Sequence, residues 1–90
     1  MNKKRRKQIE ELVSQASSLQ SEVELIQERI QEIRDEEQEA MDNLPESLQQ
    51  GEKGQVMQEA IDALEQANDE AQSAIDALQE CVSNLEQSSQ

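Results

Sequence analysis

The chain has 90 residues, enough for one domain, and carries 21 Asp and Glu against 8 Lys and Arg, a net charge of −13. With no Phe, Trp, Tyr or His and a single cysteine, it has no imidazole base, no intrachain disulfide and no zinc site of the Cys/His kind. Leu, Ile and Val number 18, which borders on what a highly charged chain needs to offset its conformational entropy, so their placement decides whether it folds.

Residues 1–8 are a basic segment in which Lys3, Lys4, Arg5, Arg6 and Lys7 contribute +5 with no acid among them. Cations oppose the macrodipole at a helix N-terminus, so helix stability does not explain the cluster. Pairing with Glu80 and Glu86 at the open end of a hairpin, or with acids of a second copy, is one expectation. Weak contact with nucleic acid or anionic lipid is another. Five cations reach few phosphates, nothing aromatic stacks on bases, and the net −18 of residues 9–90 repels a polyanion, so direct nucleic-acid binding is disfavoured. The polar QIEE that follows does not begin a signal peptide, and no apolar run approaches membrane-spanning length, so residence in the cytosol is expected.

From Ile9 the apolar residues recur at alternating steps of three and four: Ile9, Leu12, Ala16, Leu19, Val23, Ile26, Ile30, Ile33, then Glu37, Ala40 and Leu44. A repeat averaging 3.5 residues holds one stripe against a neighbouring helix and supercoils the pair. The pattern predicts a coiled-coil helix over residues 4–43, about 60 Å long. Val13, Leu25 and Met41 lie off this stripe, leaving apolar surface on its flanks. Possible ion pairs within the helix are Arg29 with Glu32 and Arg34 with Glu37.

Residues 44–51 form the turn, within the stretch DNLPESLQQGEKG that holds the only proline and both glycines. Pro45 biases Leu44 away from helix, Gly51 suits a helix N-cap ahead of Glu52, and Leu48 is expected to plug the turn from beneath. Met41 and Met57 are expected to pack beside it.

A second helix, residues 52–87 and about 53 Å long, carries Met57, Ile61, Leu64, Ala71, Ile75, Leu78, Val82 and Leu85, with Asn68 breaking the rhythm. A parallel stripe fits as well: Ala60, Leu64, Ala67, Ala71, Ala74, Leu78, Cys81 and Leu85. A face this wide suits a helix with two neighbours. Cys81 is expected as a small buried residue, and residues 88–90 as a tail. The return of AIDALEQ (60–66) as AIDALQE (74–80) is two heptads of packing, too short a period for a solenoid. The two helices match in length. Folded through the turn, they pair residues whose numbers sum to about 96, and the expected fold is all-α: an antiparallel two-helix coiled-coil hairpin, dimerising into a four-helix bundle.

The acids outside the stripes form a nearly unneutralised surface. Such a surface favours solubility, and its charge density also approaches that of a nucleic acid, so it suits mimicry that occupies a basic groove on a partner. The residues expected to carry this are Glu22, Glu24, Glu28, Glu32, Asp35, Glu36, Glu39 and Asp42. The spacing of Glu32, Asp35, Glu36 and Glu39 offers at most weak cation binding; Glu-x-x-His and EF-hand patterns are missing, and neither metal nor cofactor is expected. No catalytic triad, P-loop or dinucleotide fingerprint can be assembled, so a non-enzyme is expected.

The central stretch RDEEQEAMDNLPESLQQGEK, residues 34–53, resembles a block in small acidic helical-hairpin proteins of phages and prophages in Gram-positive bacteria. The resemblance rests on Asp35, Glu36, Glu37, Asn43, Pro45, Glu46, Leu48, Gln49 and Glu52. It implies a phage-type accessory protein in the bacterial host cytosol. Three function classes follow: a binding protein that inhibits a host or anti-phage defence protein through its acidic face, a structural or assembly coiled coil, and a weak nucleic-acid or membrane binder acting through the basic cluster.

Overall fold

Asn2 opens the first helix by accepting a hydrogen bond on its side-chain oxygen from the Arg5 backbone N–H at 2.8 Å, which satisfies one of the free N–H groups of the first turn. In this computed structural model, which describes residues 1–90, the helix α1 spans Lys3–Asp42. A single turn, α2, covers Glu46–Gln49, and α3 runs from Glu52 to Ser88. The long helices pack along their lengths as an antiparallel hairpin about 69 Å long. The fold is all-α, as the spacing of apolar residues requires.

Between the long helices the chain is tighter than a plain loop. Pro45 fixes the start of α2, whose Leu48 and Gln49 N–H groups donate to the Pro45 carbonyl at 2.9 and 3.0 Å. Gln49 then folds back, its amide donating to the carbonyls of Asp42 (3.1 Å) and Leu44 (2.9 Å), and so closes the C-terminal end of α1. Leu48 is 44% exposed, so it is not a plug beneath the turn. Gly51 caps α3 in an extended conformation. Gly54, buried in the first turn of α3, lies so close to the Gln49 backbone that a side chain there would overlap the Gln49 carbonyl.

The inward stripe of α3 is the β-branched one: Met57, Ile61, Leu64, Asn68, Ala71, Ile75, Leu78, Val82 and Leu85 are all buried or half-buried. That of α1 departs from expectation. It runs Ile9, Val13, Ala16, Gln20, Val23, Gln27, Ile30, Arg34, Glu37, Met41 and Leu44, again at steps of three and four. It shares six positions with the expected stripe and replaces Leu12, Leu19, Ile26, Ile33 and Ala40 by their next neighbours in sequence. Val13 and Met41, expected on the flanks, point inward. Leu12, Leu19, Ile26 and Ile33 remain 50%, 47%, 54% and 47% exposed.

Cross-helix hydrogen bonds accompany this choice. Turned inward, Gln27 donates to Gln72 Oε1 at 2.9 Å and Arg34 donates to Glu65 Oε1 at 2.8 and 3.1 Å, while their methylene stems pack in the seam. These pairs set the register at a residue-number sum of 99, slightly above the expected 96. The resulting core is thin. Only five of 90 residues are buried, namely Ala16, Ile61, Ala71, Ile75 and Gly54, which leaves much of the apolar surface without a cover inside one chain.

Candidate partner-binding faces

A hairpin seam leaves two flanks. In an antiparallel pair the residues that follow the seam on one helix lie beside those that follow it on the other, and the Gln27–Gln72 and Arg34–Glu65 contacts identify that side. It is polar throughout. From α1 it receives Glu10, Glu24, Glu28, Asp35 and Asp42, and from α3 Asp62, Glu65, Asp69, Asp76 and Glu86, all exposed. Beyond the N-terminal cluster, Arg34 is its single cation.

Four carboxylates of this acidic flank are held by neighbouring amides. Gln20 donates to Glu24 at 3.0 Å, Gln38 to Asp42 at 3.0 Å, Gln58 to Asp62 at 2.9 Å and Gln72 to Asp76 at 3.1 Å, each one helical turn away. Each pair contributes about 0.2–0.5 kcal/mol to its helix. Gln72 also accepts from Gln27, so an amide chain crosses the seam and ends on Asp76.

Arg34 makes the only ion pairs of the chain, with Glu65 at 2.8 Å and Asp35 at 3.3 Å. Hydrogen bonds to Glu65 and then Asp35 raise its pKa above the ordinary arginine value, so it stays charged throughout. The expected pairs Arg29–Glu32 and Arg34–Glu37 do not form; Arg34 is engaged instead by Glu65 across the seam and by its chain neighbour Asp35. A shallow groove beside it is lined by Ile30, Arg34, Asp35, Leu64, Glu65 and Asn68. Within it, the Asn68 side-chain oxygen is buried without a hydrogen-bond partner.

The eight acids singled out in the sequence divide between faces. Glu24, Glu28, Asp35 and Asp42 lie on the acidic flank; Glu32 and Glu39 point directly away from the seam; Glu22 and Glu36 lie toward the opposite flank. Half of the acidic flank comes instead from α3, whose Asp62, Glu65, Asp69 and Asp76 were not foreseen. The signal was available in the heptad position of each acid, once the seam is known. No three acidic side chains gather into a metal-binding cluster.

The opposite flank is apolar. It carries Leu12, Leu19, Ile26, Ile33 and Ala40 from α1, with Ala60, Ala67, Ala74 and Cys81 from α3. Cys81 is exposed, contrary to the expectation of burial, because α3 turns its β-branched stripe rather than its alanine stripe into the seam. At the open end of the hairpin Lys3, Lys4, Arg5, Arg6 and Lys7 are exposed, and none pairs with Glu80, Glu86 or any other acid of the chain. No helix is long and apolar enough to cross a membrane. No protein-family model matches the chain, and no curated protein or solved structure matches it either.

Proposed function

We propose that the protein is a non-enzymatic, phage-type accessory protein of the bacterial host cytosol that acts as a homodimer and inhibits a host or defence protein by capturing its basic surface. The observation that carries this reading is the acidic flank, where ten exposed carboxylates from both helices line one side with Arg34 as their one internal counter-charge. Over the 69 Å hairpin, 21 acids amount to one per about 3.3 Å; two hairpins side by side give one per about 1.6 Å, against about 1.7 Å for duplex DNA. That density counts every face; the acidic flank itself presents one carboxylate per about 7 Å to a basic groove, roughly a quarter of the duplex value. The phage setting rests on the resemblance of residues 34–53 alone.

A pull-down from a bacterial host, repeated at low and high salt and analysed by mass spectrometry, tests the reading. The expected result is a basic partner retained at low ionic strength and released at high, since the attraction is screened. The variant Glu28→Gln/Asp62→Asn/Asp69→Asn/Asp76→Asn should lose that partner. Recovery of the protein alone, at low salt as at high, overturns the inhibitor reading.

A structural or assembly role is favoured by one specific observation, the exposed apolar flank. In that case self-association persists at high salt and no foreign partner is retained. The third class, binding through the basic cluster, requires that deleting residues 1–7 abolish retention on anionic vesicles or nucleic acid.

A further inference from the structure

The homodimer reading leaves open which face self-associates and in what orientation, and the two ends of the hairpin decide both. The apolar flank runs from Leu12 to Ala40 on α1 and from Ala60 to Cys81 on α3. Its length is about 42 Å at the helical rise, and two helix diameters give a width of about 20 Å. That is on the order of 800 Å², the area each partner contributes to a stable protein interface.

Charge is distributed unevenly along the same axis. The open end bears Lys3–Lys7, in no ion pair within the chain, and the turn end bears Glu39, Glu46 and Glu52, also in no ion pair, with Lys53 as its single cation. Two copies aligned the same way would bring two basic clusters together at one end and two acidic turns at the other. Reversing one copy places each cluster against an acidic turn.

We propose that the apolar flank is covered by a second copy of the chain lying antiparallel, with Ile26 at the two-fold axis and each Lys3–Lys7 cluster seated on the acidic turn of the other copy. Ile26 is the midpoint of the Leu12–Ala40 stripe. Symmetry about it sets Leu19 opposite Ile33 and makes residue 5 level with residue 47 of the other copy, inside α2. The axis lies in the plane of the interface, so α1 packs on α1 through Leu and Ile, and α3 packs on α3 through alanine. Each helix then has two antiparallel neighbours, as in a four-helix bundle. The acidic flanks remain outside, one on each hairpin. Residues 1–8 thereby acquire a role as an intermolecular clamp.

The arrangement separates the two Cys81 thiols by about 25 Å along the bundle. In the same-direction dimer they would be level. The test is a short bis-maleimide applied to the purified full chain and to Ile26→Cys in a Cys81→Ser background, with sedimentation on the same samples. The expected result is a dimer linked through position 26 and not linked through Cys81. Linkage through Cys81, or a dimer in which position 26 does not link, overturns the orientation while the dimer stands. A monomer at every concentration overturns the homodimer reading beneath it. Independently, changing Lys3, Lys4, Arg5, Arg6 and Lys7 together to Gln should weaken self-association at least tenfold at low salt, with the difference vanishing at high salt. An unchanged dissociation constant would refute the clamp.

Discussion

The two flanks of this hairpin are built on the same two helices and the same heptad frame, yet one is apolar and the other acidic. On one side, Leu12, Leu19, Ile26 and Ile33 stand about half exposed beside a row of alanines. On the other, ten carboxylates stand at the surface, four of them held by glutamine amides and two by one arginine. Each surface alone has an ordinary explanation, since scattered apolar residues and solvated acids are common. Together they show that apolar material is withheld from one side and concentrated on the other. A monomer in water gains nothing from that division, whereas a chain with two different neighbours does.

The largest effect should come from breaking the apolar side. Leu19→Glu/Ile26→Glu/Ile33→Glu removes three side chains of the proposed interface, each contributing about 1.5–3 kcal/mol when buried, so self-association should fall at least a thousandfold. Sedimentation reads the mass, and circular dichroism should show helicity falling with it. The four-site acidic-flank variant described above should leave both unchanged, which separates the two flanks directly.

Next in size is the turn that both flanks share. Gly54→Ala places a methyl group against the Gln49 backbone, which cannot swing aside as a side-chain end would. A loss of about 1–3 kcal/mol is expected, measured by urea unfolding, because overpacking forces α2 off α3. Gly51→Ala should cost much less, since a methyl there meets only the Ser47 carbonyl oxygen at 3.4 Å and that of Leu48 at 3.7 Å.

In the seam itself, Asn68→Leu should stabilise the hairpin by about 1–3 kcal/mol, because it replaces a buried oxygen that has no partner. A buried asparagine at such a position fixes register at a cost in stability, so the same variant should also admit more than one oligomeric mass. The smallest effect is expected for Arg34→Gln. Its ion pairs are partly exposed, and the melting temperature should drop by no more than about 5 °C.

The hairpin was legible in the sequence because period and breaker residues agree. Steps of three and four continue through both helices, with Pro45 and Gly51 in the one gap between them and Gly54 just inside α3. The α3 seam was legible too, through Ile61, Ile75 and Val82, though a second stripe of alanines competed with it. The α1 seam was not. Residues 12, 19, 26 and 33 and residues 13, 20, 27 and 34 satisfy the same spacing, and hydrophobicity alone favours the first set. The structure turns the second set inward, where Gln27 and Arg34 find partners across the seam, contacts that no single-helix pattern reveals. That one-residue rotation also moves the sites. It divides the eight expected acids of α1 between faces, whereas the exposure of Cys81 and the place of Asp62, Glu65, Asp69 and Asp76 on the acidic flank follow from the stripe that α3 turns inward. Gln49 and Gly54 were hidden for a different reason: their roles depend on how closely α2 approaches α3, a distance that composition does not encode.

The central claim is that this chain is one half of a two-sided assembly, with its apolar flank covered by a copy of itself. Sedimentation equilibrium across a dilution series at high salt, with helicity followed in parallel, tests it most directly. The account predicts a species of twice the 10.2 kDa chain mass that persists into the low micromolar range and loses helix as it dissociates. A fully helical monomer of 10.2 kDa at those concentrations would contradict it.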